Sequence, residues 1–587
     1  MSEENKEMND EQKRLLEDLF QEFMASPESV YPWSIYEKWN EYRNGAKEFS
    51  KETWKDLIYA NDICSSKGDA ANKPEGEIDD TLKTSLTNLV EEKVLSENIK
   101  DELNKLFNTS KKNNSKERNF ETRVNRLAAI FDDKSSFIPS LDKFKECLKY
   151  LKATCGININ VKNQEWVKLN EALYNQLENQ LKCQLSELDK NQQGDPKQNK
   201  VFILKAFPTW IQFTKDRLFP TDSNPNVIYY GAPGTGKTYI VKSYLKTLFP
   251  DEKSYKEHVR WVQFHPSFSY EDFIEGIKPV GIDKITKSVN LKLVNGVFKK
   301  HCIDAKKKPE EKFYFVADEI NRANISAVFG ETLSLLEASY RDDGSGENLI
   351  ETQYSELEKQ LDKEEQKEIC YDIAKPENDE QSQGNSESNS NENDSHPSTA
   401  LGDNPEKMSE TSGKFGIPKN IYFIGMMNDV DKSIDAFDLA LRRRFKWIRM
   451  DCDYSVIKKF VLNEIKDEKN VNEFIRKCAK LNYFISGRDP EQYKGLGETV
   501  KKGDISRSLK MGSSYEFGHS NFLKIIDICH QDKIEKRHLD ELFTQFLQPT
   551  LKEYLRSSCS EDKIDDELEN AKEIFTTGKE KKDEQKK

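Results

Sequence analysis

The sequence predicts an α/β fold, a parallel sheet with helices around it, preceded by an α-rich N-terminal module and followed by a second helical region. Three observations carry this expectation. Short apolar, β-rich runs alternate with helical segments through the middle of the chain, and a glycine-rich loop joins the first of those runs to a helix. The regions on either side repeat their apolar residues at three- and four-residue steps.

In chain order, the helical repeat is clearest in EQKRLLEDLFQEFM, TLKTSLTNLVEEKVL and SLDKFKECLKYLKA, which places an α-rich module over residues 1–200. Polar stretches near 65–80 and 108–119 are expected as loops, and NQQGDPKQNK at 191–200 as a linker. The runs NVIYY, RWVQFH, KFYFVADE, IYFIGMMN and FKWIRM then begin near residues 226, 260, 312, 421 and 445, so the α/β core is expected over 201–450. LKLVNGVFKK is expected to add a hairpin turning at Asn295-Gly296, since Asn-Gly suits a two-residue turn. Between the third and fourth runs lies a segment, roughly 341–415, that is rich in Asn, Ser and Glu and poor in large apolar residues. Such a composition cannot bury enough surface to fold, so a disordered insertion without chemistry is expected there. Helical patterning returns over 451–575, ahead of a charged tail at 576–587.

At 587 residues the chain exceeds what one hydrophobic core serves, so several domains are expected. A net charge of -13, 33% charged residues and a mean hydropathy of -0.84 describe a water-exposed, helix-rich protein. No apolar run approaches the ~18 residues of a spanning helix, and the first twenty residues are acidic where a secretory signal is basic and then apolar. The expectation is a cytoplasmic protein with no membrane partner. The ten cysteines are scattered singly from Cys64 to Cys559, which signals neither a zinc site nor a disulfide framework. The acidic balance disfavours one broad DNA-coating surface, although residues 101–200 carry 18 basic against 14 acidic residues, where residues 1–100 carry 13 against 23.

The strongest motif is Gly231-Ala232-Pro233-Gly234-Thr235-Gly236-Lys237-Thr238, a complete P-loop between a strand-like run and a helical one. Its glycines allow the backbone to turn tightly and aim N–H groups at phosphates, and the N-terminus of the next helix adds a favourable partial charge. Gly231, Gly234, Thr235, Gly236, Lys237, Thr238 and the following Tyr239 form the expected nucleotide-binding set. In it Lys237 reaches the β- and γ-phosphates and the Thr238 hydroxyl serves Mg²⁺. The run Phe313-Tyr314-Phe315-Val316-Ala317 ends in Asp318 and Glu319, the form of a Walker B strand. Asp318 is expected in the Mg²⁺ shell and Glu319 at the attacking water, with capping of the helix beginning at Asn321 as the alternative that the complete P-loop disfavours. Asn428 ends the fourth run, where an Asn is also an ordinary turn residue. Arg442-Arg443-Arg444 precedes the fifth run, either as an exposed basic corner or as cations that stabilise transition-state charge on a neighbour's nucleotide.

Taken together these residues resemble the McrB family of AAA+ GTPases, the motor subunits of modification-dependent restriction systems. The resemblance runs from about 220 to 555 through VQFHPSFSYEDFIEGIKP, NGVFKKHCIDA, FVADEINRANISAVFGETLSLLE, GMMNDVDKSIDAFDLALRRRF, FGHSNFL and FLQPTLKEYL. Its most diagnostic part is Met427-Asn428-Asp429-Val430-Asp431-Lys432-Ser433, similar to the family's M-N-T-A-D-R-S signature, with Lys432 departing from the family's Arg and so losing a planar bidentate fork. The resemblance implies an AAA+ P-loop domain with a helical lid, Asn428 (as sensor 1) and Asp431 supporting hydrolysis, and Arg443 and Arg444 acting on an adjacent subunit. It further implies GTP as substrate, a hexameric ring, an McrC-like nuclease partner and movement on DNA. By its position the N-terminal module is expected to recognise the target, or else to serve as a structural or protein-interaction module. ATP is left open as substrate, because no N-K-x-D guanine motif occurs. An ATP-driven protein remodeller of the MoxR or midasin kind shares the P-loop, Walker B strand and arginine corner. A nucleotide-gated scaffold without catalysis is the third reading, opposed by the intact Lys237, Asp318 and Glu319.

Overall fold

The computed structural model describes residues 8–26, 131–138, 140–160, 165–186, 195–282, 287–372, 413–430, 439–489, 505–529, 533–556 and 559–579, with isolated positions between them. The chain divides into two units, Met1–Phe219 with Ser243–Glu252, and Pro220–Lys242 with Lys253–Lys587.

The described part of the first unit is helical. Helix α1 (Asp10–Ala25) opens on a capping box between Asn9 and Gln12, and α2 (Leu141–Cys155) starts at the cap Ser140 and ends on Gly156 in the left-handed region. Helices α3 (Trp166–Gln180) and α4 (Lys200–Leu218) complete it. Leu16, Phe20 and Phe23 bury one face of α1, and the Phe20 and Phe23 rings meet Phe207 and Trp210 of α4 edge-on. The unit therefore extends to Phe219, past the boundary expected near 200. Asn199 is the cap of α4, accepting the Phe202 N–H at 2.9 Å. Residues 201–212 are buried throughout, so this helix belongs to the core of the unit that precedes it. The helix expected from TLKTSLTNLVEEKVL, apart from Thr84, and the loops near 65–80 and 108–119 lie outside the described residues.

In the second unit the five expected runs form one parallel sheet in the order β2-β5-β8-β1-β9. The strands are β1 (Asn226–Gly231), β2 (Val259–Gln263), β5 (Phe313–Asp318), β8 (Ile421–Asn428) and β9 (Lys446–Arg449). β1, β5 and β8 are buried along almost their whole length, as strands covered on both faces require. The register sets Gly231 beside Asn428 and Ala317 beside Gly425, so the carboxyl ends of the three central strands lie side by side. That is where open α/β sheets bind ligands.

Two expectations about the core are overturned. The hairpin does exist, as β3 (Glu275–Ile282) paired antiparallel with β4 (Val289–Asn295), but it turns between Ile282 and Val289. Gly296 instead caps helix α5 (Val297–Lys306). Its N–H donates to the Ile274 carbonyl at 2.6 Å, and a β-carbon there would lie 2.3 Å from the Phe273 carbonyl carbon. The glycine serves close approach, which an Asn-Gly dipeptide does not distinguish from a turn.

The segment expected to be disordered over 341–415 is folded over residues 341–372 and from Gly413. β6 (Ile350–Glu351) pairs with β7 (Lys414–Phe415), and short helices Ser355–Glu358 and Lys363–Ile369 follow β6. Three of its charged residues, Arg341, Asp342 and Glu358, point inward. The fully buried Arg341 donates to Asn226 Oδ1 at 2.6 Å, Asp342 accepts from the Tyr371 hydroxyl at 2.6 Å, and Glu358 and Glu275 together clasp the buried Lys299 ammonium. Burial pushes the Glu358 carboxyl up to about 7 against the pull of Lys299. The Asn- and Ser-rich stretch, 373–412, lies outside the described residues.

After β9 the chain is helical around its own core. Helices α6 (Tyr454–Glu464), α7 (Glu468–Ser486), α8 (Gln548–Arg556) and α9 (Glu561–Thr577) bury Tyr454, Phe474, Leu551 and Phe575, with Phe522 and Phe543 from shorter helices between them. Inside it the buried Asn482 of α7 grips the 517 loop by both backbone groups. It accepts the Phe517 N–H at 2.8 Å and donates to its carbonyl at 3.0 Å. Among the described residues no helix is long and apolar enough to cross a membrane.

Candidate functional site

The P-loop leaves β1 at Gly231 and enters the helix Lys237–Leu248. Gly234 and Gly236 have φ of 80° and 77°, a region that side chains with a β-carbon enter only at a cost. The loop faces a cavity of about 320 Å³ lined by residues 234–239, Asp318, Glu319, Met426, Met427, Asn428 and Ser520. All the expected nucleotide-binding residues except Gly231 border it directly. Gly231 is linked to it through its carbonyl, which accepts from Lys237 Nζ at 3.1 Å. The same ammonium donates to the Ala232 carbonyl at 2.9 Å. Burial lowers the Lys237 pKa to about 8, partly offset by Asp429, Glu319 and Asp318. Tyr239 is 72% exposed at the cavity's rim.

The two carboxylates at the end of β5 are arranged differently. Asp318 accepts the Glu319 N–H at 3.1 Å, which turns the chain sharply. Glu319 sits at φ 51°, ψ 42°, a strained conformation for a residue with a side chain, and it leads into the 3₁₀ turn Ile320–Arg322. Its carboxylate is held from both sides, by Asn428 Nδ2 at 3.1 Å and Arg322 Nε at 3.3 Å. The capping alternative has no support here, since neither carboxylate makes a side-chain cap to the following turn. A single carboxylate and a hydroxyl, Asp318 and Thr238, both on the cavity wall, are a hard oxygen set that fits Mg²⁺ when phosphate oxygens and water complete the shell.

Sequence reasoning missed the contribution of the second helical region, although FGHSNFL was part of the resemblance. Gly518 N–H donates to the Pro233 carbonyl at 3.2 Å and Ser520 N–H to the Gly234 carbonyl at 3.0 Å. A β-carbon on Gly518 would stand 2.2 Å from the Gly234 carbonyl carbon, so the two backbones touch. Asp429 was also missed. It accepts from Ser514 Oγ at 3.1 Å and pairs with Arg449 at 3.6 Å, tying the end of β8 to the region that follows the sheet. Asp431 and Lys432 lie outside the described residues.

The three adjacent arginines are held in three ways. Arg442 lies over the Trp447 ring, 5.8 Å from its centroid, and donates to the Phe437 carbonyl. The side chain of Arg444 is only 10% exposed and folds back to donate to the Ala440 carbonyl at 2.8 Å. That of Arg443 is 67% exposed. Neither Arg443 nor Arg444 borders the cavity of its own chain.

Residues 226–445, from the start of β1 to the edge of β9, match the AAA domain of the dynein-related subfamily. The chain is similar to the Type IV methyl-directed restriction enzyme EcoKMcrB subunit of Escherichia coli strain K12, at 30% identity over 56% of this chain and 53% of the relative. It is also similar to the Type II restriction enzyme BsuMI component YdiS of Bacillus subtilis strain 168, at 32% identity over 19% of this chain and 37% of the relative. The chain thus spans about half the length of the first relative and about a third of the second. The centre of the chain is thus an AAA domain with the AAA+ P-loop fold, and the chain as a whole is similar to the McrB subunit along more than half of its length.

Proposed function

We propose that the chain is a Mg²⁺-dependent nucleoside triphosphatase, acting on GTP or ATP, that assembles into a hexameric ring and drives DNA movement for an McrC-like nuclease in restriction of foreign DNA. The observation that carries this reading is the convergence of Lys237, Thr238, Asp318, Glu319 and Asn428 on one cavity. Lys237 would exchange its loop carbonyls for β- and γ-phosphate oxygens, a change of partner that needs little movement. Thr238 and Asp318 would hold the Mg²⁺ ion, which when bound neutralises charge on those oxygens. Glu319, fixed by Asn428 and by its own strained backbone, would orient the attacking water. Arg443 and Arg444 would supply positive charge to the γ-phosphate of an adjacent subunit. The preference for GTP, the ring and the nuclease partner rest on the family resemblance. The similarity to a restriction-enzyme subunit of Escherichia coli supports a role in restriction.

The test is steady-state hydrolysis of GTP and ATP, with and without a co-expressed McrC-like nuclease, in wild type, Lys237→Ala and Glu319→Gln. The expected result is loss of tight nucleotide binding in the first variant, and binding without turnover in the second. Equal loss of binding in both would overturn the division between phosphate and water.

A further inference from the structure

We propose that Glu337 is a positioning residue for the arginine corner, dividing the pair into an anchor, Arg444, and a reaching group, Arg443. This rests on the reading of that corner as one that acts on an adjacent subunit. One carboxylate oxygen of Glu337 lies 3.3 Å from Arg443 Nη2 and 3.3 Å from Arg444 Nε. The two cations therefore share a single counter-charge. Arg443 makes a true hydrogen bond to it, whereas among the described residues the Arg444 Nε has no hydrogen-bonded partner and approaches the oxygen by charge alone.

The carboxylate is itself fixed. Glu337 stands at the junction of two 3₁₀ turns, Gly330–Leu336 and Ala338–Tyr340, donating its N–H to Ser334 and accepting from Tyr340 N–H at 3.0 Å. Its neighbour Leu336 is joined to Arg444 through one side chain. Asn226, buried at the start of β1, donates to the Leu336 carbonyl at 2.6 Å and to the Arg444 carbonyl at 3.0 Å. Arg341 then fixes the Asn226 oxygen at 2.6 Å, which leaves the amide in one orientation. Carboxylate and anchor are thus located by the same buried amide. The Arg443 guanidinium, whose side chain is otherwise two-thirds exposed, has one directional contact that limits where it can point.

A long flexible cation that must meet a phosphate loses rate for every orientation it samples in vain. A fixed carboxylate narrows that search, and an exposed ion pair is weak enough for a phosphate to displace it. Glu337 touches no reacting atom in this arrangement and acts through Arg443.

The experiment is a double-mutant cycle on the full chain, with turnover number, KM and nucleotide affinity measured at each corner. Glu337→Ala is expected to lower turnover about 10- to 100-fold with KM and affinity unchanged, and Glu337→Gln, which keeps the shape and an acceptor, to recover part of it. In an Arg443→Ala background, Glu337→Ala should cost nothing further, because the group it positions is gone. An equal fold-loss in both backgrounds, an unchanged rate or a faster one would overturn the proposal. If Glu337→Ala lowers the melting temperature by itself, the Gln variant carries the cycle. Failure of the underlying reading looks different: Arg443→Ala would then hydrolyse normally, whatever Glu337 does.

Discussion

At the ends of the central strands, charge is balanced within the chain. Lys237 sits among Asp318, Glu319 and Asp429, and the carboxylates lean in turn on Asn428, Arg322 and Arg449. At the arginine corner, among the described residues, two of the three guanidinium groups share one carboxylate, and the more exposed of the two holds it by a single hydrogen bond. The first region is complete in one subunit, its lysine already paired with the carbonyls that a phosphate would replace. The second carries more cation than its one carboxylate balances, as a surface does that is finished by another copy. The difference separates binding, which one subunit can do, from hydrolysis, which on this reading requires two.

The largest effect should come from the second region. Changing Arg443 and Arg444 together to Ala is expected to lower hydrolysis ~10³- to 10⁵-fold while each subunit's nucleotide affinity stays near wild type. Mixing that double variant with Lys237→Ala should restore part of the activity, since intact arginines then meet an intact P-loop in some interfaces. The contrast breaks if no activity returns in samples where sizing shows mixed assemblies. A smaller effect is expected in the first region from Asn428→Ala, a fall of ~10²-fold in turnover with binding retained, because the Glu319 carboxylate loses one of its two supports. Loss of binding in equilibrium titrations would instead place Asn428 with the phosphate contacts.

The smallest effect is on pH dependence. In the free protein Lys237 has its pKa lowered to about 8 by burial, so it sheds its charge as pH rises through that value. A bound phosphate favours the charged form and raises the pKa again. Binding should therefore take up a proton above pH 8, and affinity should fall by up to ~10-fold per pH unit in that range. Calorimetry in buffers of different ionisation enthalpy measures this directly, and a Lys237→Arg variant that still binds should lose the dependence.

The parallel strands and the P-loop were legible because their signals are local. Apolar runs buried on both faces have no competing reading at that length, and the order of glycines before Lys237 is fixed by the turn itself. Less legible were features in which polar residues face inward. Glu358, Asp342 and Arg341 fall in the segment expected to be disordered, and only the fold supplies Lys299, Tyr371 and Asn226 as their partners. The same reason hides the division among Arg442, Arg443 and Arg444, three identical residues separated by Trp447, Glu337 and the Ala440 carbonyl. Gly296 misled because Asn-Gly describes a dipeptide and not the segment pressed against it.

The touch between Gly518 and Gly234 makes two distant stretches of sequence a single hereditary target. A substitution at Gly518 would leave the phosphate loop's own sequence untouched and still displace it, since any side chain must push against the Gly234 carbonyl carbon. In a genetic screen such a variant would group with lesions at Lys237, and a suppressor of it would be sought on the loop.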